Sequence, residues 1–131
     1  MLVDGLVSIV TTDLNPVGGA HKDALPRGFQ FPAIVVHRYN GALEYEFAGP
    51  ADTKETNVQF DVYGKTSDER DTLMESLTGL MDSFVGTLPD GTVVQGCFRE
   101  RGPQELPYLP SAEQKGPGFR SAVGYRIVHP S

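Results

Sequence analysis

The chain has little cysteine, no tryptophan and a shortage of basic residues. Its one cysteine, Cys97, cannot form an intrachain disulfide, and it rules out a structural zinc site built from several thiolates. The chain has 11 lysines and arginines and 17 aspartates and glutamates, which give a formal net charge of −6. A protein that holds nucleic acid through its phosphates needs the opposite sign, so this composition disfavours specific DNA or RNA binding.

The sequence also lacks the short motifs of the common enzyme classes. It has no G-x-S-x-G nucleophile elbow, no G-x-x-x-x-G-K-[ST] phosphate loop and no G-x-G-x-x-G dinucleotide fingerprint. The three histidines, His21, His37 and His129, stand singly, without a second residue at the spacing of a zinc ligand pair. We therefore predict no catalytic site, no metal site and no cofactor.

Long apolar runs are missing too. The apolar start, residues 2–10, is broken by Asp4 and Gly5, is far too short to span a bilayer and has no basic region before it. We therefore expect neither a membrane span nor export by the usual route. A reducing site of synthesis fits the single cysteine.

What the chain does have is the size of one domain and many turn-forming residues. It holds 131 residues with a mass of 14.2 kDa, including 15 glycines and 10 prolines. We predict a single domain over residues 1–131 with two long loops, at about residues 15–31 and 102–118. The second loop carries three apolar residues between prolines: Leu106, Tyr108 and Leu109.

Apolar periodicity predicts the elements between these loops. Residues 2–10 repeat at the i, i+4, i+7 spacing of a short helix, although a buried strand also fits the pattern. Residues 33–39 lead through Asn40-Gly41 into alternating residues 43–47, which predicts a β-hairpin. Residues 56–63 alternate strictly, and this predicts a strand with one apolar and one polar face.

The most clearly marked helix follows these strands. Thr66 and Glu69 form a capping box, and Gly86 and Pro89 mark the expected stop. One face carries Leu73, Leu77, Leu80, Met81 and Phe84. We expect Phe60, Leu77 and Phe84 to be buried together between the sheet and this helix.

Two further strands are predicted at residues 92–101 and 119–129. The element order then predicts an α+β fold, in which one antiparallel or mixed sheet has helices packed on one face only. Cys97 sits in a strand interior, where a small buried hydrophobic role fits better than catalysis. Glu44 and Glu46 lie two residues apart on one strand, which is typical of a solvated or channel-facing strand.

Several of these segments resemble one family of viral structural proteins. The segments are residues 31–38, residues 57–64 leading into the capped helix, the strand with Gly96-Cys97 and the closing strand from Arg120 to His129. They are similar to the tail-completion proteins of long-tailed bacteriophages, a group that also contains tail terminators and head–tail joining proteins. The resemblance covers about residues 32–129, with the N-terminal helix in outline.

The resemblance implies a non-enzymatic virion protein at the junction of tail and neck, synthesised in the bacterial host cytoplasm. It implies a homo-hexameric ring that caps the tail tube and contacts two partners, the major tail tube protein and a head-completion or neck protein (stopper or adaptor). DNA is then only passing cargo, and no membrane is involved. No catalytic residues come with the family.

Two sets of residues receive roles in such a ring. We predict that Leu106, Tyr108 and Leu109 contact a neighbouring subunit or the tube, because apolar side chains on a proline-stiffened loop suit a partner surface. Acidic side chains would repel the passing DNA, so we expect four of them to face the lumen: Glu44, Glu46, Asp52 and Glu55.

Two other functions fit the same sequence. One is a monomeric adaptor or binding domain that uses the long loops as ligand sites. The other is a small enzyme that uses Asp61 or Cys97 in a pocket formed only in an oligomer. The oligomeric state in solution separates the ring from the monomeric adaptor.

Overall fold

The computed structural model describes residues 2–38, 45–46, 53–106 and 118–130. These residues form two helices and eight strands, and they confirm the predicted α+β class in a single domain. The helices are α1 (Leu2–Asp13) and α2 (Ser67–Met81). The strands are β1 (Ala20–Lys22), β2 (Ala33–Arg38), β3 (Tyr45–Glu46), β4 (Thr53–Gly64), β5 (Gly86–Thr87), β6 (Val93–Val94), β7 (Gly96–Leu106) and β8 (Phe119–Pro130).

One mixed sheet organises the described residues. Its strands follow the order β1-β2-β4-β8-β7, with the short β3 also paired to β4. Only the β1–β2 pair is parallel, and the other pairs of this sheet are antiparallel. β4 and β8 pair along 12 residues each and form its centre, while β5 and β6 make a separate two-stranded sheet.

Both helices pack on the same face of this sheet. α1 lies against β1 and β2, whereas α2 lies against β4 and β8. The core between the two layers is apolar and includes Leu6, Val10, Ile34, Val36, Val58, Phe60, Val62, Leu77, Val123, Tyr125 and Ile127. Full burial of each such side chain contributes roughly 1.5–3 kcal/mol. Neither helix of the described residues has the length and apolar character needed to cross a membrane.

Helix α2 begins where its capping residues predict. The backbone N–H of Glu69 donates to Thr66 Oγ1 at 3.1 Å, and the Glu69 carboxylate accepts the backbone N–H of Lys65 at 2.8 Å. At Gly64, just before this cap, an added Cβ would lie 2.5 Å from the backbone nitrogen of Arg70. The end of β4 can therefore pass under the first turn of α2 only with glycine at this position.

The end of α2 differs from the prediction. The helix stops at Met81, and Ser83 adopts a left-handed φ of 60° that cannot continue it. Phe84, expected on the helical stripe, follows this turn and packs half-buried against the core. Phe60 and Leu77 are fully buried as predicted. Gly86 and Pro89 lie beyond the actual end of the helix.

The segment 15–31 is not entirely a loop, as the sequence had suggested. Residues Ala20–Lys22 form β1, which pairs in parallel with β2 so that Ala20 lies opposite Ile34. This strand is held by backbone pairing and carries no run of alternating apolar residues. Periodicity therefore missed it, because a three-residue edge strand leaves too short a pattern.

The predicted hairpin between residues 33–39 and 43–47 is wrong in its pairing. β8 occupies one side of β4 over its whole length, so β2 and β3 share the other side. Both are antiparallel to β4 and therefore run in the same direction, one after the other. The expected turn residues Asn40 and Gly41 lie outside the described residues. Local patterns predict strands but do not say which strand each one pairs with.

The segment 102–118 begins as strand and not as loop. Residues 102–106 belong to β7, whose register against β8 shifts between Arg99 and Gln104. Gly102 has a φ of +76°, and an added Cβ there would meet the Ala122 carbonyl oxygen at 2.5 Å. Gly102 and Pro103, which the sequence pattern assigned to a loop, therefore lie in a bulge within β7. The predicted strand 92–101 is divided into β6 and β7 at Gln95.

Candidate functional site

The face of the sheet opposite the helices carries a group of polar side chains that bond to one another. Strand alternation turns Val58, Phe60 and Val62 toward the helices and the residues between them to the other side. We call this other side the open face. It is formed by His37, Glu55, Asn57, Gln59, Asp61, Tyr63, Phe98, Arg120 and Arg126.

Asp61 is the centre of this face. Its Oδ2 accepts hydrogen bonds from His37 Nε2 at 3.1 Å and from the guanidinium of Arg120 at 3.3 Å. Its Oδ1 accepts the side-chain amide of Gln59 at 2.8 Å. The carboxylate is only 5% exposed, so three donors on three strands fix it in place. It is a structural anchor of the open face.

The pKa values of Asp61 and His37 are shifted in opposite directions from their ordinary values. Burial alone would raise the pKa of Asp61, but hydrogen bonds from His37 and Gln59 and the charge of Arg120 outweigh it and lower the pKa. The hydrogen bond to Asp61 raises the pKa of His37 against the opposing effect of burial. His37 therefore holds a proton to higher pH than an isolated histidine, and the ion pair is strengthened.

A second charged cluster lies further along β8. The Arg126 guanidinium donates to Glu55 at 3.2 Å, lies 3.5 Å from Glu100 and stacks over the Phe98 ring at 5.0 Å. Cations and carboxylates on the open face are thus paired with one another. The arrangement provides a surface of positioned charges and rings, and the base beside Asp61, His37, is held in an ion pair with it.

Of the four residues predicted to face a ring lumen, two lie in the part of the chain that the structure describes, Glu46 and Glu55. Glu55 lies on the open face, is 18% exposed and is paired with Arg126. Glu46 lies on β3, opposite Lys54 in the backbone register. Glu44 and Asp52 lie outside the described residues. Lumen placement of the four carboxylates remains a prediction, and Glu55 already has a cationic partner.

The predicted contact loop is described only at its start. Leu106 is the last residue of β7, opposite Arg120, and its side chain is half-buried. Tyr108 and Leu109 lie outside the described residues. The structure therefore places Leu106 in β7, the strand at one end of the sheet. The role of Tyr108 and Leu109 stays a prediction.

Two observations bear on the alternative enzymatic function: the state of Cys97, and whether side chains that bind metals gather in one place. Cys97 is 1% exposed in the core, and burial raises the pKa of its thiol to about 12. A thiol in that state packs as a small apolar group. Among the described residues, no three side chains of the histidine, cysteine, aspartate and glutamate types gather as they would around a metal ion.

Sequence reasoning missed the contact between His37 and Asp61. Both were placed on strands, but a predicted hairpin paired the strand of His37 with residues 43–47. Only the observed register, in which His37 lies opposite Gln59 and Val35 opposite Asp61, brings the two side chains together. The available signal was the shared polar face of both strands, which gives no register by itself.

Comparison with known proteins adds no relative to these observations. No protein-family model and no curated protein matches this chain. What remains is the fold with its two unlike sheet faces, together with the residue patterns from which the resemblance to tail-completion proteins was inferred.

Proposed function

We propose that this chain is a structural virion protein that forms a ring at the head-proximal end of a phage-like tail tube. The ring terminates the tail and joins it to the head or neck proteins, with DNA as passing cargo. The sequence resemblance supports this proposal, and so does an α+β fold with both helices on one face of the sheet. A protein of this kind needs surfaces for a neighbour, for the tube and for the neck.

The exposed edge of β7 is the observation that carries the proposal. Residues 98–105 of this strand are all exposed, and among the described strands only β8 pairs with it. Long open edges invite pairing with other chains, and proteins normally protect them. A neighbouring subunit that packs against this edge would provide that protection. The bulge at Gly102 also turns the edge away from uncontrolled strand addition.

The open face supports the proposal in a second way. Its charged groups are held by partners before any binding, so little side-chain freedom remains to be lost on docking. A surface of this kind suits a polar contact between virion proteins that assemble separately.

End-binding to tail tubes tests the proposed function. Purified tubes that lack the protein are mixed with it and imaged by electron microscopy, followed by addition of filled heads. We expect a six-fold ring at one end of each tube, and heads that attach only to ringed tubes. Binding without a ring would support the monomeric adaptor, and no binding to the tubes would contradict the proposal.

A paired variant extends this test to the predicted contact loop. We expect Tyr108→Ala combined with Leu109→Ala to abolish the ring and the joining of heads. Val17→Ala is the control, since Val17 is 71% exposed and lies just before β1, the strand at the end of the sheet opposite β7. Complete rings and normal joining in the paired variant would remove the loop from the interface.

A further inference from the structure

Strand β7 lies at one end of the sheet, beyond the strands that helix α2 covers. The helix packs over β4 and β8. A cleft of about 370 Å³ lies between α2 and the bulged part of β7, with Met74 and Pro103 among its lining residues. After Cys97, the residues of β7 from 98 to 105 are all exposed. Packing beneath the helix therefore does not fix the position of this stretch.

Pairing with β8 also holds this stretch incompletely. The register of β7 against β8 shifts between Arg99 and Arg101 and again between Arg101 and Gln104. Gly102, with a φ of +76°, lies within the second shift. A bulge leaves residues unpaired and disrupts the ladder locally, so β8 alone constrains this part of β7 less than a regular strand.

Two ion pairs join the irregular stretch to α2, one at each end of it. Arg70, in the first turn of α2, donates to Glu105 at 2.8 Å. Asp82, the C-cap of α2, lies 3.3 Å from the Arg99 guanidinium. Arg70 and Asp82 are about 18 Å apart at the rise of an α-helix. The stretch from Arg99 to Glu105 spans at most about 20 Å when extended, so the helix runs beside all of it.

Other contacts fix the helix side of each ion pair. Arg70 is 5% exposed, donates to Asp71 at 2.9 Å and lies over the Phe119 ring at 5.6 Å. Asp82 accepts the hydroxyl of the buried Tyr125 at 2.6 Å. Two groups that are fixed on α2 thus hold two exposed side chains of β7, and with them the backbone on either side of the bulge.

We propose that Arg70 is a positioning residue for assembly. Together with the Asp82–Arg99 ion pair, it holds the exposed edge of β7 in the form that a neighbouring copy of the chain binds. This inference rests on the proposed ring, in which that edge meets a neighbour. An edge that is ordered before contact loses less conformational freedom on docking. Arg70 is buried, so it acts on the neighbour only through β7.

Hydrogen exchange on the free protein measures whether Arg70 holds β7. Arg70→Met removes the ion pair with Glu105. We expect the amides of residues 104–106 that bond to β8 to exchange at least tenfold faster, while residues 58–62 of β4 keep the parental rate. Glu105→Leu breaks the same ion pair from its exposed end and should act alike. Glu105→Gln keeps an oxygen that accepts the Arg70 N–H, so its rates should stay within threefold of the parent.

Ring counts on tail tubes, made by electron microscopy over a range of protein concentrations, measure the effect on assembly. We expect Arg70→Met and Glu105→Leu each to need at least tenfold more protein for the same ring occupancy, and Glu105→Gln to stay within threefold of the parent. The double variant should need no more than either single variant, because the same ion pair is lost in all three. A direct contact of Glu105 with the neighbour would make the two losses multiply.

Leu80→Ala is the matched control for destabilisation of α2. Leu80 packs partly buried against the core, and its truncation leaves both ion pairs in place. We expect parental exchange at residues 104–106 and parental ring occupancy. Circular dichroism melting establishes that every variant is folded at the temperature of the assay. If Arg70→Met is not folded, the comparison of Glu105→Leu with Glu105→Gln decides.

The outcomes separate this role from the proposed function. Parental exchange in Arg70→Met and Glu105→Leu would overturn the hold on β7. Faster exchange with parental ring occupancy, or losses that multiply in the double variant, would overturn the role in assembly and leave the proposed function standing. A parent that forms no rings on tubes would overturn the proposed function, and this role with it, whatever the exchange rates are.

Discussion

The two faces of the central sheet come from the same strands but have opposite chemistry. On β4, Val58, Phe60 and Val62 are completely buried against the helices, whereas Gln59 and Asp61 hold polar contacts on the open face. One face stabilises the fold by removing apolar area from water, and the other presents charges that are fixed by one another. The comparison indicates that apolar burial stabilises one face and paired charges the other, so different variants can alter the two contributions separately.

The largest expected effect on stability comes from a cavity on the helix-covered face of the sheet. Leu77 is fully buried between α2 and the sheet, so Leu77→Ala removes apolar contacts and leaves a cavity. We expect a loss of about 2–5 kcal/mol in the free energy of unfolding. Urea denaturation followed by circular dichroism measures this loss. Leu80→Ala is the control, and it should lose clearly less because Leu80 is only partly buried. Equal losses would show that the helix packs with a different face.

The second-largest effect is expected from removal of the Asp61 charge on the open face. Asp61→Asn removes the charge that His37 and Arg120 share, and hydrogen bonds to charged groups contribute about 1.5–3 kcal/mol each. We expect a loss of this size in unfolding free energy near pH 5–6. Helix content should stay unchanged, since Asp61 lies on the side of the sheet away from the helices.

The pH dependence of this variant sharpens the comparison. His37 has a raised pKa, so its contribution is fully present below the ordinary value of 6.5 and is lost as pH rises through the folded pKa. Asp61 has a lowered pKa, so its contribution is present above the ordinary value of 3.8 and is lost as pH falls through the folded one. The difference between parent and variant should therefore be largest between about pH 4 and 6.5. A difference that does not change with pH would contradict the ion pair, and an NMR titration of His37 measures its pKa directly.

The third prediction compares two glycines, Gly64 just before α2 and Gly79 in its last turn. Gly64→Ala places a methyl group 2.5 Å from the Arg70 backbone, whereas a methyl group at Gly79 meets no atom within 4 Å. We expect Gly64→Ala to lose about 1–3 kcal/mol through overpacking. Gly79→Ala should gain about 0.5–1 kcal/mol, because alanine favours the helix. Thermal melts of both variants provide the measurement, and a loss at both positions would mean that helix propensity does not decide Gly79.

The fold was predictable where a local pattern carried it. The capping box at Thr66, the apolar stripe of α2 and the alternation along β4 and β8 all identified elements that the structure contains. What failed were relations between distant segments. β1 is too short for a pattern, and the pairing of β3 with β4 depends on which strands meet, which no local signal contains.

The candidate site was less predictable than the fold, and for the same reason. The polar face of β4 was expected, but its contact between His37 and Asp61 requires the register of β2 against β4. Cys97 was predicted as a buried small residue, and this is confirmed. The cleft between α2 and β7, lined by Asp71, Met74 and Pro103 among others, was not predicted, because it arises from the bulge at Gly102 and from the place where α2 stops covering the sheet.

The smallest expected effect concerns Glu55, the one predicted lumen carboxylate whose side chain is described. Its bond to Arg126 is part of a cluster in which Glu100 lies 3.5 Å from the same guanidinium. Removal of one carboxylate leaves the other as a partner, so Glu55→Gln should lose no more than about 1 kcal/mol. The matched variant is Glu100→Gln, and the double variant completes a mutant cycle by urea denaturation. If Arg126 is shared, the double variant loses more than the sum of the single losses, because only then is the cation left unpaired. Strict additivity would show that the two carboxylates act independently and do not share Arg126.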